Sequence, residues 1–223
     1  MPHSRIALIT GANQGVGLQV AKELAAAGVT VLVGSRNLAK GEAAATQIGP
    51  GATAFQLDVT DDASIAAAAE RIRAEFGRLD LLVQNAGISN AGREPTANIE
   101  DYAKTTRASN VSFKEMRTVW ETNVFGVLAV YQAMLPLLRL SSDARIVNVS
   151  SGVGSLATNA DPAFGYRRMF GPVYPASKAA LNAITLAMMI ELEGTGIKVN
   201  LVSPAFTATN LNNYAGKIGR AHV

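Results

Sequence analysis

The sequence predicts one α/β domain built on a parallel sheet with helices on both faces. Three observations carry that expectation. Six short runs rich in Val, Ile and Leu alternate with longer helical patterns, and a glycine-rich turn joins the first run to the first helix. The 223 residues are enough for one large buried core and too few for two.

The first strand, Ile6 to Thr10, runs into Thr10-Gly11-Ala-Asn-Gln-Gly15-Val-Gly17, and a helical pattern follows from Leu18 to Ala27. Between a strand and a helix, Gly11, Gly15 and Gly17 permit a tight turn. They let backbone N–H groups approach a pyrophosphate at the positive end of the helix. The spacing differs from Gly-x-Gly-x-x-Gly. The second strand, Thr30 to Val33, ends in Val33-Gly34-Ser35-Arg36. A fold that binds NAD usually presents a carboxylate there to the ribose 2′-hydroxyl. A hydroxyl and a guanidinium stand in its place, and both suit a 2′-phosphate through charge-assisted hydrogen bonds. Ser35 and Arg36 therefore point to NADP(H) in preference to NAD(H).

The third strand spans Ala52 to Leu57. The alanine-rich Asp62 to Phe76 places Ile65 and Ile72 seven apart and stops at Gly77, as a crossover helix does. After the fourth strand, Leu79 to Val83, the polar and unpatterned stretch Ile88 to Asn110 reads as a long loop or excursion beside the site. Ser112-Phe-Lys-Glu115 is a capping box opening a long apolar helix through Trp120, Val124, Val127 and Tyr131. The fifth strand is Arg145 to Val149 and the sixth Lys198 to Val202, with a helical pattern over Leu181 to Leu192 between them.

Bulk properties narrow the function. Gln132 and Pro136 interrupt the apolar run Val124 to Leu138, and no run reaches the roughly 18 to 20 residues of a membrane helix. The N-terminus carries no signal-like segment. Without cysteine there is no disulfide or thiolate chemistry, and His3 and His222 sit too far apart in the chain to suggest a metal site. The 20 Lys and Arg against 17 Asp and Glu are dispersed, which argues against a nucleic-acid surface. A cytoplasmic protein with a small-molecule partner, and neither membrane nor nucleic acid, is expected.

Six motifs stand in order at strand and helix ends: Thr10 to Gly17, Asp58-Val59, Asn85-Ala86-Gly87, Asn123 in Glu121-Thr-Asn-Val-Phe-Gly126, Ser151 in Asn148-Val-Ser-Ser151, and Tyr174-Pro-Ala-Ser-Lys178. Together they resemble the short-chain dehydrogenase/reductase family from about Arg5 to Thr209. Carbonyl reductases with a long insertion before the tyrosine are the nearest members. The resemblance implies a Rossmann-type doubly wound fold, a possible homo-oligomer, and an adenine contact at Asp58 and Val59. It implies further cofactor contacts at Asn13, Val16, Asn85, Ala86, Gly87, Tyr174, Lys178, Pro204 and Thr207. The family's Pro-Gly is here Pro204-Ala205, Gln84 replaces a common Asn, and Gly152 to Val173 is longer than in compact members.

The family's catalytic set falls on Asn123, Ser151, Tyr174 and Lys178. Tyr174 would exchange a proton with the substrate oxygen, and Ser151 would hold that oxygen. Asn123 would anchor a water reaching Lys178. Reducing a ketone needs a hydride on carbon and a proton on oxygen, and a phenol with a pKa near 10 needs help to act as a base at neutral pH. Lys178, four residues on, supplies a positive charge on the same helix face. Pro175 biases Tyr174 toward the helix cap. Tyr166 lacks a lysine at that interval, and Trp120, Met188 and Met189 read as packing residues. Ser151 has no histidine between His3 and His222 to make it a hydrolase nucleophile. An NADP(H)-dependent carbonyl oxidoreductase is expected, with a noncatalytic NADP(H)-binding sensor or interaction protein as the alternative. One domain is expected over residues 1–217. Ile218-Gly-Arg-Ala-His-Val223 reads as a non-native tail translated from a sequencing adapter, so that the natural C-terminal end is missing.

Overall fold

The computed structural model describes residues 4–92 and 99–204. Six parallel strands, β1 (Ile6–Thr10), β2 (Thr30–Ser35), β3 (Ala52–Gln56), β4 (Leu81–Gln84), β5 (Arg145–Val149) and β6 (Lys198–Val202), form one sheet. Their order is β3-β2-β1-β4-β5-β6. The winding reverses between β1 and β4, where Ile9 pairs with Val33 on one side and Val83 on the other. That reversal opens the crevice at the carboxyl ends of the strands where α/β sheets bind ligands.

The helices are α1 (Gly15–Ala26), α2 (Leu38–Ile48), α3 (Asp62–Phe76), α4 (Ile99–Thr105), α5 (Phe113–Trp120), α6 (Gly126–Leu138), α7 (Leu156–Ala160) and α8 (Tyr174–Glu191). Strand alternation sends Leu8, Leu32, Leu82 and Ile146 to one face of the sheet, where Ile65, Ile72, Val130, Met134 and Leu181 cover them. Ile9, Val31, Val33 and Val83 go to the other face, against Ala21 and Ala44. The small residues on α1 and α2 let those helices lie close to the strands. At the β3 edge Arg71 stacks 3.9 Å from the Phe55 ring centroid and donates to the Ala54 carbonyl at 2.9 Å. This covers an otherwise open strand edge.

β1, β5 and β6 have the expected bounds, while β2 runs on to Ser35 and β3 stops at Gln56. β4 starts two residues later than expected: the Leu79 N–H bonds to the Leu137 carbonyl, and the Asp80 carboxylate caps the Ile6 N–H at 2.9 Å. α3 has the expected bounds, capped by the Asp61 side chain and ended by Gly77 at φ 75°. α1 begins three residues earlier than its apolar pattern, so Gly15 and Gly17 lie in its first turn. The stretch Ile88 to Asn110 is not wholly a loop, because α4 forms within it. The helix after Ser112 is broken by one π-helical turn, Glu121–Phe125, which apolar spacing did not reveal. Helical residues from Phe113 to Leu138 are long and apolar enough to cross a membrane by composition. In the fold they pack as core, with Val127, Val130, Met134, Leu137 and Leu138 buried.

Candidate active site

The glycine turn is locked to the end of β4. Asn85 donates through its amide to the Thr10 and Gly11 carbonyls at 3.0 and 3.2 Å, and the Asn85 and Ala86 N–H groups both reach the Thr10 hydroxyl at 3.0 Å. A Cβ on Gly17 would stand 2.4 Å from the Asn85 amide nitrogen and 2.8 Å from the Gly11 carbonyl oxygen, so only glycine fits. Gly11 and Gly15 adopt φ 65° and 59°, which other residues rarely do. Asn13 and Val16 complete the turn, half-buried. The start of α1 differs from its neighbours. α2, α3 and α5 are capped by Asn37, Asp61 and Ser112, whereas α1 has no side-chain cap bond and no acidic residue in its first turn. Its leading N–H groups suit a phosphate.

At the end of β2 the two expected residues part company. Ser35 is 1% exposed, and its hydroxyl donates to the Asn37 carbonyl at 2.8 Å. Arg36 is exposed, its backbone carbonyl held by Gln56 at 2.8 Å. Arg36 thus offers charge to solvent while Ser35 shapes the turn beneath it. Asp58 folds its carboxylate back onto the Thr60 N–H and hydroxyl at 3.0 and 2.8 Å. Val59 packs so closely on the helix carrying the π turn that a Cβ on Gly126 would lie 2.5 Å from its carbonyl oxygen.

Tyr174 is the first residue of α8 and Pro175 the second, so proline fits and the Tyr174–Lys178 spacing stays helical. The Lys178 ammonium lies 5.8 Å from the Tyr174 ring centroid and donates to the Val149 carbonyl at 2.9 Å. Lys178 is 4% exposed, and among the described residues no carboxylate pairs with it. Burial pulls its pKa down to about 8. Gly87 sits against this group: a Cβ there would be 3.2 Å from Asn123 Oδ1 and 3.6 Å from Lys178 Nζ.

Asn123 is fully buried in the π turn, a device that often re-aims a side chain at functional sites. Its Oδ1 accepts the Ile88 N–H at 2.9 Å, and its Nδ2 donates to the Ile88 carbonyl at 2.8 Å and to the Ser177 hydroxyl at 3.0 Å. Ser177 in turn donates to the Tyr174 carbonyl at 2.7 Å. The Asn123 amide thus ties the Ile88 backbone to Ser177, and its Oδ1 keeps one lone pair beyond the Ile88 N–H. Ser151 accepts a long bond, 3.4 Å, from the Val153 N–H. Among the described residues its hydroxyl proton meets no acceptor. Ser150 beside it is buried and donates to Asn182 at 2.6 Å.

Sequence reasoning missed Thr10, Ser177 and Asn182. It also gave Trp120 no role, yet its indole donates at 3.0 Å to the carbonyl of Pro172, two residues before Tyr174. Ser177 lay inside the Tyr-x-x-x-Lys motif, and Asn182 lay four residues beyond Lys178 on the same face. Those positions were the available signals. Pro204 is half-buried at the end of the described chain, and Thr207 and Ile218 to Val223 lie outside the described residues.

The profile of the short chain dehydrogenase family matches residues 5–217. Short-chain dehydrogenase anuI of Penicillium roqueforti is 38% identical over 220 residues, covering 95% of this chain and 82% of its own. The 3-ketoacyl-(acyl-carrier-protein) reductase of Brucella melitensis, solved with NADH, superposes with a TM-score of 0.76 at 29% identity, over 94% of this chain and 79% of its own. A gluconate 5-dehydrogenase of Burkholderia cenocepacia, solved with NADP and tartrate, gives 0.74 at 28% identity, over 93% and 73%. Family profile and relatives agree: the chain belongs to the short-chain dehydrogenase/reductase family and is an NAD(P)-dependent oxidoreductase.

Proposed function

We propose that this enzyme interconverts a carbonyl compound and its alcohol with NADP(H), using Tyr174 as general acid in reduction and general base in oxidation. The observation that carries the reading is Lys178, a buried cation one helical turn from Tyr174 with no carboxylate paired to it among the described residues. At a pKa of about 8 it stays mostly protonated at pH 7. A positive charge there favours the phenolate over the phenol and lowers the barrier to moving the Tyr174 proton. Ser151 donates its unspent hydroxyl proton to the substrate oxygen and holds that oxygen toward Tyr174.

The nicotinamide, when bound, supplies or accepts the hydride. The uncapped start of α1, Gly11 to Gly17, and the exposed Arg36 would hold its phosphates, and Lys178 has donors left for its sugar hydroxyls. The preference for NADP(H) rests on Arg36, exposed where a carboxylate would otherwise mark NAD(H). The presence of all four residues, Asn123, Ser151, Tyr174 and Lys178, favours turnover over a noncatalytic sensor.

Tyr174→Phe removes the proton donor and keeps the ring. Carbonyl-dependent oxidation of NADPH, followed over a panel of ketones and aldehydes, should fall roughly a hundredfold or more while NADPH affinity stays within a few-fold. Retention of more than about a tenth of the rate would exclude Tyr174 as the acid.

A further inference from the structure

The turn after β5 that carries Ser151 is gripped from both sides by asparagine amides. On one side Asn182, in α8, accepts the Ser150 hydroxyl at 2.6 Å and donates to the Gly154 carbonyl at 3.2 Å. On the other, Asn159, 8% exposed, donates to the Val153 and Ser155 carbonyls at 3.0 and 2.8 Å. The two Asn182 contacts bracket the segment 151–153. The turn also rests directly on α8, since a Cβ on Gly154 would stand 2.8 Å from the Lys178 carbonyl carbon and 2.9 Å from its Cβ.

Asn182 follows Lys178 by four residues and Tyr174 by eight, so all three share one stripe of the helix. We infer that Asn182 is a positioning residue for Ser151, fixing the turn that carries this hydroxyl to the same helix that carries Tyr174 and Lys178. The inference rests on the acid/base reading above. A substrate oxygen must lie within hydrogen-bond reach of Ser151 and Tyr174 together, and a misplacement of about 0.5 Å already weakens such a site. Lys178 and Thr185 already join α8 to β5 through the Val149 carbonyl and the Asn148 amide; Asn182 extends that tie past the strand end to the two sides of Ser151.

The chemistry calls for an amide. The site needs an acceptor toward Ser150 and a donor toward Gly154 from one short side chain. Aspartate would set a charge against the Gly154 carbonyl, and leucine would make neither bond. The same clamp explains why two adjacent serines differ: Ser150 is consumed by it, and the Ser151 proton meets no acceptor among the described residues.

The test is a double-mutant cycle on the full chain, with Asn182→Leu, Ser151→Ala and the pair, read as kcat/KM for carbonyl reduction. Asn182→Leu should lower kcat/KM roughly tenfold when Ser151 is present and less than about twofold when it is already alanine. NADPH affinity and the alkaline limb of the pH–rate profile, which belong to Tyr174 and Lys178, should not move. Equal losses in both backgrounds, or a shifted alkaline limb, would overturn the inference, since general damage to the fold acts regardless of Ser151. If Asn182→Leu does not fold, Ser150→Ala removes one of the two bonds from outside α8 and enters the same cycle with the same expectations. Tyr174→Phe in the same assay separates the two levels. Retained turnover there defeats the acid/base reading, whereas an inactive Tyr174→Phe with an additive cycle defeats only the role of Asn182.

Discussion

Lys178→Met should make the protein more stable and less active. Lys178 is 4% exposed, and burial lowers its pKa from an ordinary 10.5 to about 8. Holding that charge inside the fold at pH 7 opposes folding by on the order of 3 kcal/mol. Methionine has nearly the same shape and no charge, so it removes the penalty, but it leaves the Val149 carbonyl without its donor at a loss of about 1 to 2 kcal/mol. The net expectation is a gain of about 1 to 2 kcal/mol, or roughly 2 to 8 °C in melting temperature for a chain of this size. The pH dependence is the sharper signature. Because the folded pKa is the lower one, the unfolded chain binds the extra proton between about pH 8 and 10.5, and the wild type gains stability as pH rises through that window. The penalty falls to on the order of 1 kcal/mol by pH 9.5, so the advantage of methionine should vanish there. Thermal melts of both proteins without added cofactor, from pH 7 to 9.5, decide the matter. A methionine variant that melts lower at pH 7, or a difference that does not change with pH, would refute a buried, uncompensated Lys178.

Two further outcomes follow from named contacts. Arg36→Asp should weaken NADPH by roughly tenfold or more and improve NADH, because the carboxylate repels a 2′-phosphate and accepts from a free 2′-hydroxyl; an unchanged NADPH affinity by titration calorimetry removes Arg36 from the site. Burial alone would raise the pKa of Asp80, but the Ser141 hydroxyl, the Ile6 N–H and Arg78 outweigh it and hold the carboxyl below its ordinary 3.8. Asp80 therefore supplies stability that is present above about pH 4 and lost as pH falls through the lower folded pKa. Asp80→Asn should melt below wild type at neutral pH and converge with it toward pH 2, and a gap constant over that range would contradict the assignment.

How much of this was legible beforehand depended on range. Strand cores were readable because burial on both faces demands unbroken runs such as Ile6–Thr10, and α3 was readable because Asp61 and Gly77 punctuate it locally. The π turn was not, since inserting one residue into a helix changes which face Asn123 occupies without changing its apolar composition. α4 was hidden for a related reason: its polar sequence carries little apolar periodicity, and part of what orders it is contact with the distant turn Arg167–Met169. The site residues Tyr174, Lys178, Ser151 and Asn123 came from motif resemblance. What residue spacing could not supply is the division of labour between Ser150 and Ser151, or between Ser35 and Arg36. In each pair, adjacent residues differ only in what the third dimension places beside them.

That division follows a rule visible across the site. Asn123, Ser177, Ser150 and Asn182 spend their polar groups on one another or on backbone, forming the chains Ile88–Asn123–Ser177–Tyr174 and Gly154–Asn182–Ser150. Lys178 carries three donors and uses one on Val149, while Ser151 keeps its proton. Both groups given direct roles in the proposed mechanism thus keep hydrogen-bonding capacity, while these four neighbours hold each other or the backbone; Gln84 Nε2 and Asn148 Oδ1 are buried without a partner. The Lys178 ammonium is held by the Val149 carbonyl, a backbone group fixed at the end of β5. In the proposed mechanism the stability lost at Lys178 is the energetic counterpart of a charge held ready for the phenol of Tyr174, and on that reading removing the charge should strengthen the fold and weaken the enzyme at once.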